Sequence, residues 1–284
     1  SGKHDFEGVA YSWANMDEDG FKYIPKQTDM VRSYAMWRAY NRFKDADYFL
    51  TLDDDCLPIS GVDIFEEYEK VFEKGSVLSE YFDVGQLTSF DQQMRGFPYK
   101  DRKRVPVAVQ YGGWSNVLDY DAATQLSQQP DFNYFKPINM VVPKGAAATC
   151  CIMNCAWQRE YTPIMWQLPM LDGRYNRVGD IWSGLFIKKT LDAIGATMVI
   201  NGQAQVYHDR ASNPYESLKK EAPSVWLNDN LWDELGKSSY HAPEDMMCVY
   251  AQVSYDAAAF FSQHDQPFAE HFLKARDEWL ALWK

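Results

Sequence analysis

One stretch constrains this chain more than any other: Tyr48-Phe49-Leu50-Thr51-Leu52-Asp53-Asp54-Asp55-Cys56. Five mostly apolar residues run straight into three carboxylates. A short, continuous apolar run bounded by polar residues reads as a buried parallel strand. The carboxylates then fall at its C-terminal end, the edge where open α/β sheets bind ligands. Side chains alternate along an extended segment, so Asp53 and Asp55 point one way and Asp54 the other. Two convergent carboxylates are hard oxygen ligands suited to Mg²⁺ or Mn²⁺, an ion that keeps waters and bridges to substrate phosphates. The plain alternative is a solvated acidic turn. Against it, crowded carboxylates raise one another's pKa and cost stability unless a cation offsets them.

The 284 residues suffice for one large domain or two small ones. The net charge of -12 disfavours nucleic acid as a partner, because that needs a basic surface. It also makes a cation requirement natural for an anionic substrate. An aromatic content of 15% permits, without specifying, a sugar or base ligand. Five cysteines with no C-x-x-C pair argue against zinc and for buried free thiols in a reducing, cytoplasmic setting. No signal peptide or membrane-spanning apolar run is visible. The oligomeric state is left open, with a homo-oligomer allowed.

Val9 to Trp13 resembles a short strand, and Asp17-Glu18-Asp19-Gly20 a turn. Thr28 to Phe43 has a helical pattern that Thr28 can cap, with Arg32 near its start and able to reach a phosphate. Asp63 to Lys74 is an amphipathic helix. Asp91 to Arg104 is a basic loop, punctuated by Gly96 and Pro98, that suits an anionic substrate. Val105–Gln110 reads as a strand broken by Tyr111-Gly112-Gly113-Trp114. Pro137 to Pro143 and Thr197 to Asn201 read as further strands, and Gln205 to His208 extends or follows the last. Asp180 starts an apolar helix, and the chain from Leu218 onward is mostly helical. Strands alternating with helices indicate an α/β fold, with a mixed, mainly parallel sheet flanked by helices. At the end of one strand, the neutral imidazole of His208 can complete a divalent site that two carboxylates leave open.

Five motifs occur in order: Asp53-Asp54-Asp55-Cys56, Met94-Arg95-Gly96-Phe97-Pro98, Asp119-Tyr120-Asp121-Ala122, Gly173-Arg174-Tyr175, and His208 through Pro214 followed by Lys219-Lys220. Together they resemble the reversibly glycosylated polypeptides, which include plant UDP-arabinopyranose mutases. The likeness runs from about residue 24 to 222. It implies a GT-A-like domain over 1–222, short at its N-terminus relative to the family, and a C-terminal helical extension over 223–284. The family's longer N-terminal part normally carries the first strand and much of the uridine pocket.

The resemblance also implies a divalent ion, Mn²⁺ or Mg²⁺, at Asp53, Asp55 and His208. Lys26, Arg32, Asp53 and Asp54 are assigned to the nucleotide-sugar. Arg95 is the implied site of reversible glycosylation, Arg102 the second functional arginine, and Asp180 a supporting group or general base. The activity implied is a UDP-sugar mutase interconverting pyranose and furanose forms. A metal-dependent glycosyltransferase acting on an external acceptor, and a non-catalytic nucleotide-sugar-binding subunit, are the alternatives.

Overall fold

The computed structural model describes residues 11, 13–24, 31–90, 92–117, 119–128, 133–170, 174–175, 177–210, 213–240 and 245–284. Its strands are β1 (Tyr48–Leu52), β2 (Cys56–Pro58), β3 (Ser76–Val77), β4 (Arg104–Val105), β5 (Val107–Asn116), β6 (Asn133–Tyr134), β7 (Asn139–Val141), β8 (Asn154–Gln158) and β9 (Thr197–His208). Its helices are α1 (Trp13–Glu18), α2 (Val31–Arg42), α3 (Ile64–Lys74), α4 (Ala122–Ser127), α5 (Gly179–Ile194), α6 (Pro214–Glu221), α7 (Val225–Gly236), α8 (Met246–Ser262) and α9 (Gln266–Ala281).

The main sheet runs β1-β8-β5-β9-β2, with β6 added on β5 and β7 on β9. It is mixed and flanked by helices, the α/β architecture of a GT-A-like fold. The parallel β5–β9 ladder is its longest, from Val107↔Thr197 to Asn116↔His208. The other pairings among the described residues are antiparallel.

Local chemistry sets the helix starts. The Asp63 carboxylate accepts from Phe65 and Glu66 N–H and caps α3. Asn213 caps α6, where Pro214 supplies a pre-set φ at a position with no hydrogen bond to lose. Asp121 and Asp265 cap α4 and α9.

Two strand expectations are corrected. The Tyr48–Leu52 run is not a buried parallel strand: β1 is half-exposed, pairs antiparallel with β8, and among the described residues pairs on that side alone. A continuous apolar run does not distinguish a central strand from an edge strand whose rings, here Tyr48 on Phe72 and Phe49 on Trp157, pack on neighbours. Gly112-Gly113 does not break β5, which continues to Asn116. Gly112 is there for close approach, since a Cβ would lie 2.1 Å from the Tyr68 hydroxyl and 2.3 Å from Asn154 Nδ2. At the N-terminus, Trp13 opens α1 rather than ending a strand; Val9, Ala10 and Ser12 lie outside the described residues, as does the expected cap Thr28.

The partner strand carries the irregularity. Gly112 pairs with Asn201 but Gly113 pairs with Gln205, so 202–204 bulge out of β9. Buried amides satisfy the exposed backbone. Asn201 Oδ1 accepts from Gln203 and Ala204 N–H (3.1 and 3.0 Å). Asn154 Nδ2 donates to Gly113 and Ala204 carbonyls (2.9 and 2.8 Å), and Asn154 Oδ1 accepts from the Tyr68 hydroxyl (2.8 Å).

One core joins the sheet to the C-terminal helices, taking in Ala108 and Trp157 together with Leu231, Phe261 and Trp279. Trp182 of α5 stacks on Phe261 of α8, with centroids 5.1 Å apart. Arg174 and the Tyr175 hydroxyl both bond Asp265, the cap of α9, so this motif pins the helical region to the sheet domain.

Asn154→Ala would leave a buried hydroxyl and two strand carbonyls without their donor or acceptor. It is expected to cost about 3 kcal/mol or more, read as a lower denaturation midpoint with an unchanged denaturant slope. A variant as stable as the parent contradicts this account of the bulge.

Candidate functional site

The aspartates sit in a turn between two strands. Asp53 N–H donates to Met153 O (3.0 Å), the last link of β1 to the β8 side, and Cys56 N–H closes the turn on Asp53 O (3.1 Å). The chain then enters β2, whose Cys56 pairs with His208 of β9. Asp209 N–H donates to Asp55 O (3.0 Å), fixing Asp55 beside His208. Asp53 and Asp55 are half-buried and Asp54 is exposed, in a turn rather than an extended segment.

His208 is oriented from behind. Asn116 takes the left-handed conformation, φ 74°, which asparagine tolerates. The next carbonyl, Val117 O, meets His208 Nδ1. A carbonyl only accepts, so Nδ1 carries a proton, and Nε2 faces Asp55 Oδ2 across 3.7 Å. That spacing suits a shared proton or a shared cation.

Arginines neutralise both carboxylates. Arg32 Nη2 lies 2.6 Å from Asp53 Oδ1, and Arg210 Nη1 lies 3.3 Å from Asp55 Oδ2. Burial, followed by the charges of Asp53 and Asp55, pushes the Cys56 thiol up to about 12. Cys56 is therefore an inert packing thiol.

A second acidic pair lies at the same end of the sheet. Asp180, at the start of α5, is held above the usual carboxylate range by burial and then by Asp119. Arg177 pairs with Asp119 (3.3 Å) and Glu221 (3.4 Å), and Glu221 accepts from Ala122 N–H (2.8 Å). Cys151, beside Asp180, is pushed well up by burial and then by Asp180 and Asp119. The Asp119–Arg177–Glu221 group has one trace in the sequence: Asp119 lies in a motif, whereas Arg177 and Glu221 stand out in no pattern.

The structure brings Asp53, Asp55, His208 and Arg32 to one edge. Among the described residues, however, no three His, Cys, Asp or Glu side chains are gathered into a group able to hold a metal. Asp55 and His208 face each other while Asp53 turns to Arg32. Mn²⁺ and Mg²⁺ fit such an open donor set, because they draw remaining ligands from water and phosphate. Lys26 lies outside the described residues, as do Gly173, Ala211 and Ser212 of the motifs.

Arg95 and Arg102 lie on a loop held by its own residues and by Asp83. The loop leads into β5 at Val107, whereas Asp55 and His208 sit beyond the other end, at Asn116. Ten residues separate these ends, roughly 30 Å at about 3.3 Å per residue. Arg95 is exposed on a turn closed by Phe97 N–H to Met94 O (3.1 Å), with Gly96 at φ 103°. Arg102 donates to Phe97 O (3.1 Å) and stacks on Tyr99, 3.8 Å from the ring centroid. Asp83 Oδ1 accepts from Met94 N–H (3.2 Å) and anchors the loop there. A sequence motif does not say at which end of a strand its loop emerges.

A model of the family described as reversibly glycosylated polypeptide matches residues 40–284. The chain belongs to the reversibly glycosylated polypeptide family. The match includes the C-terminal helices, so the likeness extends beyond residue 222 to the last residue. Among curated members, UDP-arabinopyranose mutase 1 of Arabidopsis thaliana is 30% identical over 253 residues, 83% of this chain and 68% of that protein. A probable UDP-arabinopyranose mutase 2 of Solanum tuberosum is 32% identical over 254 residues, covering 83% and 67%. A probable UDP-arabinopyranose mutase 1 of Pisum sativum is 33% identical over 198 residues, covering 65% of this chain and 53% of its own length. The matched regions thus span between about half and two thirds of these relatives.

Asp180 gives a pH test. Its folded pKa lies above the ordinary value, so between the two the folded state holds more protons and stability falls as pH rises. Above the folded pKa the penalty is complete and flat. Asp180→Asn removes it. Its stability advantage over the parent should grow from pH 4 upward and level off, as followed by denaturation midpoints. A gap that stays constant with pH contradicts the assignment.

Proposed function

We propose that this chain is a UDP-sugar mutase that interconverts the pyranose and furanose forms of a UDP-sugar, with UDP-arabinose the first to test. The observation that carries the reading is the Asp55–His208 pairing in a chain whose curated relatives are named UDP-arabinopyranose mutases. Asp55 and His208, with Asp53 beside them on Arg32, are the residues that would hold a divalent cation, whose charge would stabilise the departing diphosphate. Arg32 and Arg210 already neutralise the two carboxylates and are placed to offer guanidinium forks to diphosphate oxygens. Asp54, exposed beside them, is left for the sugar or ribose hydroxyls. Asp180, whose carboxyl burial holds above the usual range, is suited to exchange a proton with a sugar hydroxyl. Four buried free thiols fit a reducing compartment, and a cytoplasmic location is part of the same reading. No helix among the described residues is long and apolar enough to cross a membrane.

Arginine glycosylation belongs to the same reading, with Arg95, exposed on its turn, as the acceptor. Transfer to an external acceptor is the second reading.

The test is incubation with labelled UDP-arabinopyranose and Mn²⁺. Furanose product should form, and Asp55→Asn should slow it by about 100-fold or more, in the range of losses seen when an electrostatic catalytic group is removed. Arg95→Ala should abolish label on the protein. Label moving to an added saccharide with no furanose formed would replace the mutase reading by the transferase.

A further inference from the structure

The last rung of the β5–β9 ladder sets Asn116 opposite His208. Asn116 is one of two described residues other than glycine with a positive φ, and at 74° it lies in the left-handed region. Asparagine enters that region more readily than most residues with a side chain, and β-branched residues enter it least. The turn it makes is put to use. Asn116 Nδ2 donates to His208 O (2.9 Å), and Val117 N–H donates to the same carbonyl (3.4 Å). Val117 O then comes against the ring and accepts from His208 Nδ1. Residues 116 and 117 thus hold His208 by its main chain and by its ring together.

A residue that only ended the strand would leave the ring free to turn. Here the ring is buried and its two nitrogens have separate partners: Nδ1 meets Val117 O, and Nε2 faces Asp55 Oδ2. The hydrogen bond made by one imidazole nitrogen decides which of the two is protonated and which is left to a metal. An extended residue at 116 would carry the chain straight on and take Val117 O away from the ring. Imidazoles that ligate a metal commonly donate their other N–H to a backbone carbonyl or carboxylate, and losing such a partner weakens metal binding by about 10- to 100-fold.

We propose that Asn116 is a positioning residue for the cation site: its left-handed backbone, more than its side chain, aims Val117 O at Nδ1 and so presents Nε2 of His208 to the cation. The proposal rests on the reading of Asp55 and His208 as cation ligands, and adds to it what fixes the ligating nitrogen. It does not depend on which sugar is turned over.

The experiment joins ring ¹⁵N NMR of the metal-free protein, with the His208 signals assigned by their loss in His208→Ala, to titration with Mn²⁺ in the presence of UDP. In the parent, the neutral ring should carry its proton on Nδ1. Asn116→Gly keeps easy access to a positive φ and removes only the side-chain donor, so it should retain that ring signature and lose about threefold in Mn²⁺ affinity. Asn116→Val should lose the signature together with about 10- to 100-fold in affinity. A neutral parental ring protonated on Nε2, an Asn116→Gly variant as damaged as Asn116→Val, or a folded Asn116→Val with parental signals and affinity overturns the proposal. Should Asn116→Val fail to fold, Asn116→Ala makes the same comparison with less crowding. Failure of the furanose assay with these results intact removes the sugar chemistry alone, whereas a parent that binds no Mn²⁺ overturns this proposal as well.

Discussion

The bonds from the Asn154 side chain to the Gly113 and Ala204 carbonyls let β9 bulge inside a buried ladder. Three residues leave the strand there, and their backbone groups must find partners or cost more than the sheet gains. Asn201 supplies the acceptor and Asn154 the donors; Gln110 joins them by accepting from Asn201 Nδ2 (2.8 Å) and donating to Tyr68 O (2.8 Å). With the bulge held, the second half of β9 arrives in a shifted register that sets His208 against Asn116 and Cys56. The position of the imidazole beside Asp55 is thus decided by buried amides far from it.

Charge is distributed to match. Asp53, Asp55, Asp119 and Asp180 gather at one end of the sheet, and Arg32, Arg210 and Arg177 hold three of them by ion pairs. Asp180, short of such a partner, carries the raised pKa. Arginine suits this role because its planar fork serves a carboxylate in one state and a diphosphate in another. The other end of the sheet is built from amides and rings, and its arginines are spent on carbonyls: Arg104 on the end of α3, Arg102 on Phe97. The two ends are therefore chemically distinct: carboxylates and arginines gather at one, amides and aromatic rings at the other.

Much of this was legible in the chain. α3 with its Asp63 cap, α5 starting beside Asp180, and aspartates at the end of an apolar strand all follow from local periodicity and capping. His208 as a partner of Asp55 was readable from residue chemistry and a family likeness together. What was hidden depends on contacts between residues far apart in sequence. The edge position of β1 is a matter of which strands pair, and Gly112-Gly113 looks like a break until Tyr68 and Asn154 are seen pressed against it. The anchoring of the Arg95 loop on Asp83 depends on the course of the chain after α3, which no motif encodes. Gly173-Arg174-Tyr175 stands out in the sequence only through the family likeness, and its part in holding Asp265 at the cap of α9 shows only in the fold.

The central claim is that His208 and the aspartate turn form one cation-binding site. Pulsed electron paramagnetic resonance of the protein with Mn²⁺ and UDP reads this directly. The account predicts bound Mn²⁺ with nitrogen coupling from a single imidazole, lost in His208→Ala, and loss of binding in Asp55→Asn. Bound Mn²⁺ without that nitrogen coupling, or binding indifferent to both substitutions, would contradict it.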